Sequence, residues 1–331
     1  TVTFDYTANF ADKNAGVGKG VTASGVSLSG ADGGNYVLVL DGALLAGLTA
    51  DIDRKTLTLD TAAAVDKTYD GNRNVTLDFT TGDLVSGDDI GFLYEALAAD
   101  GNAGTGKAVT VTGDTMSLSG ADADNYDLGF DPALLSGLAI DIAARTLNIT
   151  AVVALDKVYD GTTTAALTIT ATGLVGGDDA AFGYDARFAD KNVGAGKPVT
   201  VVDGISLSGA DADNYVVVLD PALLGSLSAD ITAKTLSITD VLALAKTYNG
   251  SRDADLAFVT DDIVSGDTVG FGYEALFGDK NAGAGKAIGV TGGAVVLTGA
   301  DAGNYALSLD TALLLGLSAD IARKTLTVTD I

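Results

Sequence analysis

The sequence predicts an all-β fold assembled from tandem modules of about ninety residues. Three observations carry this. The segment Lys55-Thr56-Leu57-Thr58-Leu59 returns as Arg145-Thr146-Leu147-Asn148-Ile149, Lys234-Thr235-Leu236-Ser237-Ile238 and Lys324-Thr325-Leu326-Thr327-Val328, with starts 90, 89 and 90 residues apart. Within each period apolar and polar residues alternate one by one, with a period of two, as in strands with one buried face. Turn-forming Gly, Asp and Asn pairs separate these stretches at spacings near a dozen residues.

Module 145–233 shows the elements in order. Leu147, Ile149 and Ala151 alternate with Thr146, Asn148 and Thr150 in a first strand. Lys157-Val158-Tyr159 runs into the turn pair Asp160-Gly161, and Ala166–Thr170 reads as a strand that ends by Gly173. After Gly176-Gly177-Asp178-Asp179, the stretch 181–188 places Phe182, Tyr184, Ala186 and Phe188 on one face of a longer strand. The glycine loop Asn192–Gly196 follows, then strand sequence around Asp203-Gly204, either continuous or broken in two. A Ser-Gly-Ala-Asp turn leads into Tyr215–Leu219. Asp220-Pro221-Ala222-Leu223-Leu224 has the form of an N-cap with proline at the first helical position, so one helical turn is expected before the chain extends again at Ser228–Ile231. About seven strands of this kind favour an Ig-like β-sandwich; the alternative is a β-grasp-like sheet on which the Pro-Ala-Leu-Leu turn lies as one short helix.

A ninety-residue period exceeds the repeat of a thin solenoid and suits a small domain with its own core. The expected division is a partial repeat over 1–54, matching the C-terminal half of a module, full modules over 55–144, 145–233 and 234–323, and the first strand of a further module at 324–331. The half-modules lead us to expect a longer array. Only one to three residues separate the Ala-Asp-Ile that closes a copy from the Lys-Thr-Leu that opens the next, so neighbouring repeats should be closely coupled.

Composition narrows the chemistry. The 331 residues contain no Cys and no His, which removes disulfides, the usual zinc ligand sets and imidazole-dependent catalysis. Forty-four acidic against 19 basic residues give a net charge of −25, which repels nucleic acid and anionic lipid and fits solubility or divalent cations better. A hydrophobic content of 47% argues against disorder. No run of 18 apolar residues is present, so no membrane insertion is expected.

The recurring Tyr69-Asp70-Gly71, Tyr159-Asp160-Gly161 and Tyr248-Asn249-Gly250 blocks resemble the YDG repeat domains. So do the Asp-Lys-Asn-x-Gly-x-Gly-Lys loops, as at 190–197, and the Leu-Ser-Gly-Ala-Asp-x-x-Asn-Tyr blocks, as at 118–126. Such domains occur in filamentous-haemagglutinin-like and other large bacterial surface exoproteins. The resemblance implies an extracellular or cell-surface adhesin in which the repeats serve as stalk or spacer units. It carries over no ligand site.

Several residues invite a chemical reading. Gly101–Lys107 approaches a phosphate-cradling loop, but Ala108 stands where a magnesium-binding hydroxyl is needed, and a hairpin turn is the expected role. Asp122, Asp124 and Asn125, and likewise Asp211, Asp213 and Asn214, are spaced as candidate calcium ligands. The matching turns Asp32-Gly33-Gly34-Asn35 and Asp301-Ala302-Gly303-Asn304 have one carboxylate fewer, which favours turns whose Asp and Asn cap backbone amides. Tyr36, Tyr126, Tyr215 and Tyr305 each follow such a turn and are expected as corner anchors, ring inward and hydroxyl to backbone. Gly71, Gly161 and Gly250 are expected as turn glycines. Adjacent carboxylates such as Asp88 and Asp89 point to opposite sides of an extended chain and cannot flank one bond. Lys67, Lys157 and Lys246 could only enter chemistry through an isopeptide to Asn. The expected function is therefore structural and non-enzymatic, a spacer whose partners are the neighbouring repeats. The alternative is weak multivalent adhesion to extracellular glycan or matrix through the repeats themselves.

Overall fold

The computed structural model describes residues 1–112 and 116–329. The chain is all-β, with about 51% of its residues in strands arranged in many small sheets. No α-helix is present among the described residues. The Pro-Ala-Leu-Leu segments form only four-residue 3-10 turns, Pro132–Leu135 and Pro221–Leu224, each started by an Asp whose carboxylate accepts from the second residue's backbone N–H. The helix of the β-grasp-like alternative is thus reduced to one tight turn.

The chain divides into two compact units. The first comprises Thr1–Arg145 together with Val175–Asp178 and Asp213–Val216, and the second Thr146–Leu174, Asp179–Ala212 and Val217–Ile331.

The second unit shows the pairing within a full copy. Strand Lys234–Ile238 runs parallel to Tyr305–Leu309, with Lys234 beside Tyr305 and Leu236 beside Leu307. Asp240–Ala243 pairs antiparallel with Leu256–Val259. A four-stranded sheet places Lys246–Thr247 beside Ser318–Ala322, then Gly283–Thr298, then Gly270–Phe277. Alternation explains what is buried: Leu236 and Ile238 are in the core, while Thr235 before them is exposed and Ser237 between them is half-buried. The apolar core runs from Ile149 to Ile321, with Tyr159, Phe277, Ile231 and Leu236 among its most deeply buried side chains. The long strand Gly194–Ser208 stays continuous through Asp203 and Gly204, whose φ of 59° and 78° fall where its register against Ala181–Phe188 shifts, a β-bulge.

The first unit repeats the scheme. Lys55–Thr58 runs parallel to Tyr126–Gly129, and Leu57, Leu59 and Tyr126 form a core with Phe79, Phe92 and Leu128 packed on it. Strand-by-strand reading did not anticipate these parallel pairs. They also explain the partial repeat at 1–54. Thr3–Phe10 and Gly16–Ser29 pair as their counterparts do, but residues 36–40 form no strand, and Tyr36 is 63% exposed where Tyr126 is 4% exposed. Among the described residues no Lys-Thr-Leu strand lies beside that segment.

Candidate functional site: the latch between successive repeats

The three recurring blocks meet where one repeat touches the next. The glycine loop is shaped first by its own residues. In the loop at 100–107, Asp100 accepts from the backbone N–H of Asn102 at 2.8 Å and from Lys107 Nζ at 2.6 Å, while Gly106 N–H donates to Asp141 at 2.7 Å. The same triangle recurs with Asp190, Lys197 and Asp230. Charge-assisted bonds inside the loop thus occupy the lysine and an amide that a phosphate would need.

Closing the loop this way presents its second, third and fourth residues to the following repeat. The backbone N–H groups of Ala15, Ala103 and Val193 donate to the Oδ1 atoms of Asn125, Asn214 and Asn304 at 2.8, 2.8 and 3.0 Å, across 110 or 111 residues of sequence. The amide nitrogens of these asparagines donate in return to Asn14, Asn102 and Asn192. Asn214 and Asn304 are the buried polar residues of the described chain, and this reciprocal pairing satisfies them.

Beside each asparagine stands the corner tyrosine. The hydroxyls of Tyr126, Tyr215 and Tyr305 accept from the backbone N–H of Val85, Val175 and Val264, and donate to Asp88, Asp178 and Asp267. The preceding repeat supplies further donors to the same carboxylate. Tyr69 donates to Asp178 at 2.8 Å and Tyr159 to Asp267 at 2.7 Å, and their rings meet Tyr215 and Tyr305 edge-on at 5.5 Å. Lys13 reaches Asp88 at 2.6 Å and Asp122 at 2.8 Å; Lys191 reaches Asp267 at 2.8 Å and Asp301 at 3.3 Å. The residue at this position of the intervening loop is Gly101, so Asp178 is held by tyrosines without a lysine.

The turn glycines complete the contact. Gly71 and Gly161 adopt φ of 80°, and a Cβ on either would lie 2.9 or 2.7 Å from a methyl of Val175 or Val264 in the following repeat. Gly250 has the same backbone conformation with open space around it. The adjoining lysines are caged by their own turns: Lys67 by oxygens of Asp70, Asn72 and Asn74, Lys157 by those of Asp160, Thr162 and Thr164, and Lys246 by those of Ser251 and Asp253. Among these cages only the first has an asparagine side chain, Asn72 through Oδ1 at 3.1 Å, that accepts from the lysine.

Electrostatics favour the closed latch. Burial alone would push the Asp267 carboxyl up, but bonds from Lys191, Tyr305 and Tyr159 outweigh it and hold the group below the ordinary carboxylate range. Asp88 is likewise lowered, by Lys13 first and then Tyr126. Burial, reinforced by the neighbouring carboxylate, raises the phenols of Tyr126 and Tyr215 and pushes that of Tyr305 up to about 12.

The candidate calcium residues divide accordingly. Asn125 and Asn214 belong to the latch, Asp122 accepts from Asp89 N–H as well as from Lys13, and Asp211 accepts from Asp179 N–H. Asp124 and Asp213 lie in the 3-10 turns Ala123–Asn125 and Ala212–Asn214, and the latch is built without them. Among the described residues no three acidic side chains converge as a metal-binding group. Tyr36 lacks the setting of its counterparts, and the carboxylates Asp88 and Asp89 diverge, the second accepting from Ala121 N–H. Reading the sequence alone assigned the asparagines to local turns and missed the lysines of the loop. The constant Asn-Tyr pair, beside a position that changes between Asp and Gly, was the available signal.

Fold and junction together define a tandem β-repeat protein whose shared residues join copy to copy. The YDG domain family matches four stretches, residues 1–43, 53–133, 143–222 and 232–312, and the chain belongs to that family. No curated protein and no solved structure matches it.

Proposed function

We propose that this chain is a structural spacer, a run of modules that extends a larger extracellular bacterial surface protein and presents a binding domain located elsewhere in it. The observation that supports this most is the use of the shared polar residues. The Asn, Tyr, Asp and Lys that recur from copy to copy are spent on joining neighbours, and tandem modules with short junctions suit transmission of position along a chain. An acidic surface suits solubility in that setting. We take each module to be an Ig-like β-sandwich over 55–144, 145–233 and 234–323, carrying neither catalytic residues nor a required metal.

The test is binding of the full chain to arrays of glycans and matrix proteins. The spacer reading expects no ligand retained at low micromolar concentration. Specific retention in that range would overturn it in favour of multivalent adhesion through the repeats.

A further inference from the structure

Without Cys or His, the chain's own reactivity rests on amides, carboxylates, hydroxyls and amines, and one step of the sequence brings several of these together. Asn249-Gly250 is the sole Asn-Gly pair; every other asparagine is followed by a residue that carries a side chain. The pair forms the turn after Lys246–Thr247, and Gly250 adopts φ of 86° there. The two preceding copies carry Asp70 and Asp160 at the position of Asn249. Each accepts from the lysine three residues earlier, at 2.8 and 2.7 Å, and from the backbone N–H two residues later. These carboxylates stay 41% and 53% exposed although a following repeat packs on the adjoining glycines, so the position is open to water between complete repeats. Asn249 Oδ1 accepts from Ser251 N–H at 3.0 Å and from Ser251 Oγ at 3.1 Å, and Lys246 Nζ lies 3.3 Å from the same Oγ.

We propose that Asn249 is a self-modification site: the Gly250 nitrogen displaces ammonia from its side chain, and hydrolysis leaves a carboxylate beside Lys246. The bond from Gly250 N to Asn249 Cγ forms as the Cγ–Nδ2 bond breaks, and the amide proton of Gly250 departs with the ammonia. Glycine leaves that nitrogen accessible because it carries no Cβ. Negative charge develops on Oδ1 during the attack, where the two Ser251 donors already point. Water then opens the five-membered succinimide. Opening at Cγ gives aspartate, which acquires the lysine contact of Asp70 and Asp160. Opening at the main-chain carbonyl gives isoaspartate, whose extra backbone methylene displaces the turn. Water is the only other reactant, and the step does not depend on a spacer function.

Peptide-mapping mass spectrometry of the full chain, aged in mildly alkaline buffer at physiological temperature, tests it. The fragment holding residue 249 should gain about 1 Da with release of ammonia, while fragments holding Asn14, Asn102, Asn192 and Asn281 keep their masses over the same time. G250A should slow the gain at least tenfold, since a side chain then shields the nitrogen. S251A should slow it several-fold in the folded chain and leave the rate in urea unchanged, which separates the contribution of the fold from that of the sequence. A circular-dichroism melt of S251A matching wild type shows that its rate reports on the lost hydroxyl rather than on unfolding. No gain at residue 249, an equal gain at the other asparagines, or G250A and S251A converting as fast as wild type would overturn the proposal.

Discussion

Replacing Asp267 by alanine removes the centre of the latch in the second unit. The carboxylate is 2% exposed and accepts from Lys191 at 2.8 Å and from Tyr159 and Tyr305 at 2.7 Å. Two of those three donors come from the preceding repeat. Removing one member of a buried, hydrogen-bonded charge pair costs about 3–5 kcal/mol, because the remaining donors lose a desolvated anion. Lys191 retains Asp301 and is more than a third exposed, which places the expected loss near the lower end, about 3 kcal/mol. For a cooperative unit of this size that is ~10 °C in melting temperature. Scanning calorimetry of D267A against wild type reads it directly, and the double mutant with Y159F should show coupling of about 1–2 kcal/mol. The sign with pH is fixed by the lowered carboxyl. Its contribution is complete above the unfolded carboxylate pKa of about 3.9 and fades as pH falls through the lower folded value, so variant and wild type should converge only in strong acid. A loss below about 1 kcal/mol at neutral pH, or no coupling to Tyr159, would refute a latch centred on Asp267.

Three further outcomes follow from the same geometry. G101K should restore the lysine that reaches the carboxylate at the other junctions; the backbone φ of Gly101 is not in the left-handed region and a Cβ there would lie 3.3 Å from the Asn72 oxygen. A gain of about 0.5–1 kcal/mol is expected in chemical denaturation, and nuclear magnetic resonance should show the introduced ammonium group beside Asp178. G161A should cost about 1–3 kcal/mol, since strain at φ 80° adds to overlap with Val264, whereas G250A should cost about 1 kcal/mol from the backbone alone; equal losses would remove the inter-repeat contribution. Melting with and without a chelator should give the same midpoint, and a fall of several degrees on chelation would instead establish structural calcium.

Much of the repeat interior was legible in sequence. Period-two alternation marked the strands at 145–154 and 181–188, and Asp220-Pro221 marked the tight turn, because each is a local consequence of backbone geometry. Pairing partners were not legible. Leu57 looks the same whether its strand runs beside Leu128 or elsewhere, since alternation specifies a buried face and not a neighbour. The latch was hidden for a related reason. An Asn in a turn has local amides within reach, so a turn role is the economical reading; here the partners of Asn125, Asn214 and Asn304 lie in the preceding repeat. Repetition itself held the remaining clue: Asn35, Asn125, Asn214 and Asn304 are constant while the residue before them changes between Gly and Asp.

Comparison of the three junctions shows what the latch requires. Asp88 receives Lys13 and Tyr126, Asp178 receives Tyr69 and Tyr215, and Asp267 receives Lys191, Tyr159 and Tyr305. The carboxylate and the corner tyrosine are constant, whereas donors from the preceding repeat vary in number and charge. Every carboxylate keeps at least two side-chain donors, one from each repeat, which offsets the desolvation that closing a junction imposes on an anion. A lysine is therefore dispensable where a phenol of the preceding repeat reaches the same carboxylate, and Gly101 is tolerated because Tyr69 is present. What cannot vary independently is the pairing of Asn with the loop amide, since that amide's position depends on the Asp–Lys closure within the loop. The repeat thus constrains the loop's shape more tightly than the charge it carries, and sequence change should accumulate at the lysine that reaches forward before it reaches the lysine that closes the loop.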